Sequence, residues 1–456
     1  MTTTEPIRRP DTTAPAPVPA SAPAPTSTPA PRRSLFRDRG FRLLITATAV
    51  SRLGSSVGSL AVPLTAVLAL HASAGQVGLL TMLSTLSFVL VGLPAGAWID
   101  RMRKRPVMIA ADLARAALFG SVPAAWLLGV LTIQQLYLVV LLAGTATVFF
   151  DVAALSHLPS LVERDRLTDA NAHLVTVDAV TQVGGRGVGG FLTALLSAPV
   201  AVAVDAASYL WSAACLLRIR RPEPQPRRGA DRGLAGEIGQ GLRFVFGHPL
   251  LRPIALAGAC TNLSIQLCQT MLPVLFVREL DLPGSAIGLF FAAGGVGVFL
   301  GSLSARWLAR RLGAGRVLWL MGLAVAPLGV LIGLVDRGPA LWLAGAAWLV
   351  TTFKVGIDNV IKISFRQSAT PDALLGRMNA TMRVVLTGSL AVGAGLAGVL
   401  GEFVSPRAAL WAGAAGLATV WLPILCSPLR TTRHLPGSGP AAAAVTPPKP
   451  APTARS

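Results

Sequence analysis

Charge is what this 456-residue chain has least of. Only 13% of its residues are Asp, Glu, Lys or Arg, about half the ~25% of a soluble domain, so it cannot cover a globule of its size with polar surface. Cysteine is as scarce: Cys215, Cys260, Cys268 and Cys426 all lie in apolar stretches with no C-x-x-C spacing, which excludes a disulfide scaffold. Lysine is nearly missing, with four residues beside 36 arginines. The basic residues fall between apolar runs and not along one face with interleaved aromatics, so the net charge of +20 does not describe a nucleic-acid-binding surface. No G-x-x-x-x-G-K-[ST] loop is present, so ATP does not drive the protein directly. The five histidines show no metal-ligand spacing, and no cofactor is implied. What is abundant is apolar residue, 53% of the chain, with a mean hydropathy of +0.62. These values point to a polytopic helical membrane protein, not an enzyme.

Residues 1–40 are rich in Thr, Ala and Pro, and residues 430–456 read alike. Both are expected to be disordered tails, and no apolar run after a short basic start marks a signal peptide. Between them stand twelve apolar spans, at about 41–70, 76–99, 106–130, 133–155, 173–196, 199–218, 253–277, 285–308, 315–335, 340–362, 380–402 and 406–429. Each is near the ~20 residues that cross a hydrocarbon core. Strands of alternating polarity, as in a membrane barrel, are missing. With an N-terminus on the cytoplasmic side, 33 of the 40 basic residues gather at that side, three (Arg278, Arg337, Arg407) at the other and four inside spans. Such a bias places both termini in the cytoplasm.

The basic linker 220–252 divides the spans into halves, 41–219 and 253–429, that echo each other. Gly185, Gly187 and Gly190 recur as Gly393, Gly395 and Gly398. Arg52, Ser56, Ser59 and Pro63 share their spacing with Asn262, Gln266, Gln269 and Pro273. Gly96 pairs with Gly301, and Asp151 with Asp358. Duplicated six-helix halves with a site at their interface are a transporter architecture.

The loop Gly96-Ala97-Trp98-Ile99-Asp100-Arg101-Met102-Arg103-Lys104-Arg105 resembles the G-x-x-x-D-R-x-G-R-R signature of the major facilitator superfamily, with Arg103 where the signature has its second Gly. Leu158-Pro159-Ser160-Leu161-Val162, Asn171-Ala172 and Gly376-Arg377-Met378-Asn379-Ala380 resemble the branch of enterobactin exporters and macrolide-efflux proteins. The resemblance implies two pseudo-symmetric six-helix bundles in a bacterial plasma membrane, working as a monomer by alternating access. It further implies a cytoplasmic gate of Gly96, Asp100, Arg101, Lys104 and Asp151, with Asp358 as the repeat partner of Asp151. Gly185-Arg186-Gly187-Val188-Gly189-Gly190 contains G-x-G-x-x-G, but no βαβ unit surrounds it; small residues that let helices approach explain it better. It also resembles the antiporter signature G-P-x-x-G-G, with Arg186 replacing Pro.

Ionisable residues inside spans mark function by default, because lipid burial is costly. Asp112 and Arg115 read as a local pair, and Asp205 as a structural residue on a peripheral span near the outer surface. Arg52 and Arg186 have no acid within four residues and, with Ser56, Ser59, Asn262, Gln266, Gln269 and Lys354, are the candidate cavity residues. Three cations opposed by Asp178 predict an anionic or polyhydroxylated small-molecule substrate. Asp178 is the candidate for proton coupling. The expected activity is export against protons. Import or uniport of a metabolite is the alternative within transport, and a membrane sensor the alternative outside it.

Overall fold

The computed structural model describes Leu35 and residues 38–162, 166–219 and 234–431; most of the expected tails, and residues 220–233 of the linker, lie outside these. The side chains of some helical residues, among them Asp100, Gln182 and Arg186, also lie outside the description.

Among the described residues the chain is helical, with no strand. The first half comprises α1 (Arg39–Ala69), α2 (Ala74–Asp100), α3 (Lys104–Leu127), α4 (Ile133–Leu161), α5 (Leu167–Leu196) and α6 (Ala198–Leu217). A linker helix, α7 (Leu234–Gly247), precedes α8 (Leu251–Arg278), α9 (Gly284–Leu312), α10 (Ala314–Val325), α11 (Pro339–Ser368), α12 (Asp372–Phe403), α13 (Pro406–Thr419) and the short α14 (Leu422–Leu425). Eleven of these segments are long and apolar enough to cross a membrane. The twelfth expected span is α5, 30 residues long, of which the fully described apolar stretch is Gly187–Leu196.

Local chemistry sets the boundaries. Asp38 accepts hydrogen bonds from the backbone N–H of Gly40 and Phe41 at the start of α1, satisfying donors that a helix leaves open. Ser73 and Gln76 form a reciprocal capping box on α2, as such a spacing does. Pro63, Pro94, Pro123 and Pro273 sit inside helices, where packed neighbours in a membrane bundle make good the lost donor. Pro327 acts differently: at its position α10 tightens into a 3-10 stretch, Ala326–Leu334, that completes the span. Arg103 opens α3 with an extended backbone at φ −71°. The turn therefore does not use the left-handed freedom of the glycine that the signature has there.

The halves meet at one end only. The helix ends that carry the basic loops are here termed the basic end. The apolar cluster at the basic end of the first half, around Phe41, Ile99, Met108 and Leu158, contains first-half residues alone. Those at the same end of the second half, around Ile361 and Phe365 and around Met378 and Met382, contain residues from α7 onward alone. At the opposite end both clusters are mixed: Val57 and Val77 pack with Leu267 and Met271, and Leu60 and Leu64 with Leu272 and Phe276.

The repeated glycines explain how that end closes. A Cβ on Gly190 of α5 would collide with the Cα of Gly288 on α9, and one on Gly78 of α2 with the Cα of Gly398 on α12. Gly187 and Gly395 likewise face Ala292 and Met82 across the halves. Gly185 and Gly393 instead seat α5 against Ser56 of α1 and α12 against Leu263 of α8, each inside its own half. One three-glycine stripe per half thus serves both an internal and a cross-half contact, and backbones touch where no side chain intervenes. A polar latch adds to this: Glu402 of α12 accepts from the Gly75 N–H at 2.8 Å, and Arg278 of α8 donates to the carbonyls of His71 and Ala72.

Candidate substrate cavity

Between the halves lies a cavity of about 340 Å³, bordered by α1, α2, α3, α4, α6, α8 and α9. Its floor is the sealed end. The first half contributes Arg52, Ser55, Ser59, Thr81, Ser84, Thr85, Thr147 and Tyr209, and the second Gln266, Gln269 and Thr270. Most of the hydroxyls on α1, α2 and α4 donate back to carbonyls of their own helix, as Ser59, Thr81, Thr85 and Thr147 do. That leaves their oxygen lone pairs facing the cavity as acceptors.

Of the expected cavity residues, Arg52, Ser59, Gln266 and Gln269 line this space. Ser56 turns to Gly185 of α5. Asn262 borders a second cavity, of about 300 Å³ and confined to the second half, and donates to the Leu386 carbonyl at 2.9 Å. Lys354 is buried away from both, bound to Asp358 at 2.7 Å.

Of the three cations expected to stand unpaired, Arg52 and Lys354 have acid partners, and the Arg186 side chain lies outside the description. Arg52 bonds Asp151 at 2.8 Å and Asp178 at 3.2 Å, acids on α4 and α5 that lie far from it in sequence and next to it in the bundle. Lys354 and Lys362 both grip Asp358, at 2.7 and 3.0 Å. A guanidinium or ammonium this deep in a bundle finds a carboxylate; the lysines find theirs one turn away on α11, whereas the acids that answer Arg52 lie 99 and 126 positions off.

Of the expected gate residues, the Asp100 side chain lies outside the description. Lys104 donates to the carbonyls of Ile99 and Met102 and so closes the α2–α3 turn on itself. Arg105 fastens that turn to the Leu216 and Leu217 carbonyls at the end of α6. Arg101 is exposed, and a Cβ on Gly96 would meet nothing. Asp151 and Asp358 each answer cations of their own half. This is the arrangement expected where the two halves stand apart at the basic end.

Asp205 requires a correction. It is not peripheral: the carboxylate is 1% exposed, pressed against Gly54 and Gly58 of α1, and borders the cavity. Tyr209, one turn on, shares a hydrogen bond of 3.0 Å with Ser55. Asp112 and Arg115 do pair, and the Arg115 guanidinium also stacks on Phe150 and Tyr209, 4.5 and 4.3 Å from their ring centres.

A sequence profile of the family described as transmembrane secretion effector matches residues 27–441. The chain belongs to that family, within the major facilitator superfamily. It is 28% identical over 390 residues to the enterobactin exporter EntS of Escherichia coli O127:H6, covering 84% of this chain and 91% of that one. With the EntS of Citrobacter koseri it shares 28% over 403 residues, 87% and 94% of the two chains. Among solved structures, it resembles a bacterial homologue of the iron transporter ferroportin in an inward-facing state, with a TM-score of 0.68 and 20% identity over 86% of this chain and 99% of that one. The same description in the outward-facing state gives 0.56, with 20% identity over 85% and 98%. The nucleoside transporter NupG gives 0.65 with 12% identity over 84% and 98%. The chain is therefore a multi-pass membrane transporter of the family's exporting kind, which moves a solute and does not transform it.

Proposed function

We propose that this transporter exports a polyhydroxylated or acidic small molecule, such as a phenolic siderophore, across a bacterial plasma membrane in exchange for protons, with its basic end in the cytoplasm. The observation that carries this reading is the cavity between the halves, sealed by glycine-matched contacts at one end and flanked by separate half-clusters at the other. A solute would enter from the basic end, and rocking of the halves would expose it at the opposite side. The 33 basic residues at the basic end support its cytoplasmic placement. The curated relatives named as enterobactin exporters support the direction. The hydroxyl and amide lining supports a solute rich in hydroxyls, while the pairing of Arg52 with two acids shifts the weight from anionic charge to hydrogen bonding. Asp178, the carboxylate nominated from the sequence, pairs with Arg52 at 3.2 Å, which favours a structural part for it over proton carriage.

The test is transport of labelled enterobactin into inside-out vesicles, with the vesicle interior made acidic. The expected result is accumulation that collapses with the pH gradient. Accumulation in right-side-out vesicles instead would make the protein an importer, and accumulation indifferent to the gradient would remove the proton.

A further inference from the structure

The two halves pack their first and last helices in opposite senses. In the first half, glycines on α1 receive side chains from α6: a Cβ on Gly54 would collide with Ser208, and one on Gly58 with the Asp205 carboxylate. In the second half the same sites are exchanged. Gly413 and Gly416 on α13, the counterparts of Asp205 and Ser208, receive Cys268 and Ser264 from α8, the counterparts of Gly58 and Gly54. Both solutions fill the same gap between helices. Only the first puts a carboxyl group in it, so packing alone does not call for Asp205.

The charges around that carboxyl do not balance. From α3 come Asp112 and Arg115, which pair with each other, and Arg115 acts on Asp205 as well. From α1 come Ser55 and, a turn away, Arg52, already committed to Asp151 and Asp178. Asp178 is also the described α5 acid nearest to this layer; the Arg186 side chain lies outside the description. α6 itself adds Ser208, which donates to the Asp205 backbone carbonyl and lies 3.5 Å from its carboxylate, together with Tyr209 and Ser212. Arg115, paired with Asp112, is thus also the cation whose charge acts on Asp205, and both carboxylates are buried. With all three ionised the cluster carries one uncompensated negative charge, which a buried site sheds by binding a proton.

We propose that Asp205 is the group that carries the exchanged proton, an inference that rests on the antiport reading above. The route is the cavity, whose wall includes Gly58, Asp205 and Tyr209. A proton delivered by hydronium in the cavity adds to a carboxylate oxygen of Asp205, leaving water, and returns to water when the opposite end opens. The neutral acid leaves Asp112 and Arg115 as a balanced pair; the carboxylate draws Arg115 away from Asp112. Protonation thereby changes the α3–α6 contact beside the cavity floor, where the halves meet.

Infrared difference spectra of the purified protein in lipid, recorded between alkaline and acidic buffer, test this without a substrate. The wild type should show a protonated-carboxyl band that grows on acidification. Asp205→Asn should lose it, and Asp178→Asn and Asp151→Asn should keep it. Asp205→Gly combined with Gly58→Cys copies the packing of the second half without the carboxyl and should fold while lacking the band. A band that persists in either Asp205 variant, or disappears in Asp178→Asn, overturns the proposal. If neither Asp205 variant folds, the band must survive Asp178→Asn and Asp151→Asn and weaken in Asp112→Asn, which leaves Arg115 to Asp205 alone; loss in either of the first two, or an unchanged band in the third, overturns the proposal. A pyranine assay in vesicles separates the two readings: a band lost with Asp205 but no proton flux in wild type would refute antiport while leaving Asp205 as the buried proton site.

Discussion

Asp151 and Asp358 occupy the same place in the two halves and live under opposite conditions. Asp151 shares one cation, Arg52, with a second acid, Asp178, and the three side chains are 15%, 38% and 44% exposed. Asp358 is itself shared, by Lys354 and Lys362, and this triad is 4%, 3% and 10% exposed. One half therefore holds a wet cluster with a surplus acid, the other a dry cluster with a surplus base. Ion pairs in water rearrange at small cost, whereas dry ones cannot lose a member. The first cluster can therefore exchange partners at lower cost than the second. The glycines agree: a Cβ on Gly297, Gly301 or Gly356 would collide with the facing backbone of α9 or α11, whereas Gly96, the counterpart of Gly301, faces open space.

The largest effect should come from Asp358→Asn. Two buried ammonium groups would lose their counterion, at a cost of about 3–5 kcal/mol, so size-exclusion profiles in detergent should show mostly aggregated protein. A well-folded Asp358→Asn protein would mean that water reaches the second triad and that the contrast between the halves is false.

Next come the cross-half glycines. Gly78→Leu and Gly190→Leu each put a side chain where the other half's Cα stands. Each should therefore open the sealed end, raising the labelling of a cysteine reporter introduced at Ser59 from the outer side. Equal shifts in the two variants would show that the halves are alike at this contact, unlike in their charge clusters. An effect in only one of them would extend the asymmetry to the seal.

Asp151→Asn should be milder for stability, about 1 kcal/mol or less, because Arg52 keeps Asp178 and partial solvent. Transport should nevertheless fall well below wild type, read as initial uptake rate in vesicles. Normal flux would make the first triad as static as the second. Glu402→Gln should have the smallest effect. It keeps an acceptor for the Gly75 N–H and removes only the charge at the start of α2, so the sealed end should open slightly more often, by the same labelling readout.

Much of this was legible in the chain because membrane burial writes itself in long apolar runs. The span count, the duplicated halves, the basic bias and the glycine stripes are all linear patterns. The pairing of Arg52 was not, because Asp151 and Asp178 lie 99 and 126 positions away and become neighbours only when α1, α4 and α5 pack. The linker helix α7 also went unread: it docks Val245 against Met378 and Met382 of α12, inside a stretch that composition marks as basic connection.

The sequence by itself determined a helical membrane transporter of two repeated bundles, since hydrophobic length, repeat spacing and charge bias are properties of the chain alone. Which end is shut, which cations are already answered and which carboxyl faces the cavity were decided by the tertiary structure. Asp205 shows why. Its span reads as an ordinary apolar crossing, and nothing within four residues distinguishes it from a surface acid turned toward the outer water. Only the packing of α6 on the two glycines of α1 buries it, within reach of the Arg115 charge, and the electrostatics of a buried charge depend on what surrounds it in three dimensions, not on its neighbours along the chain.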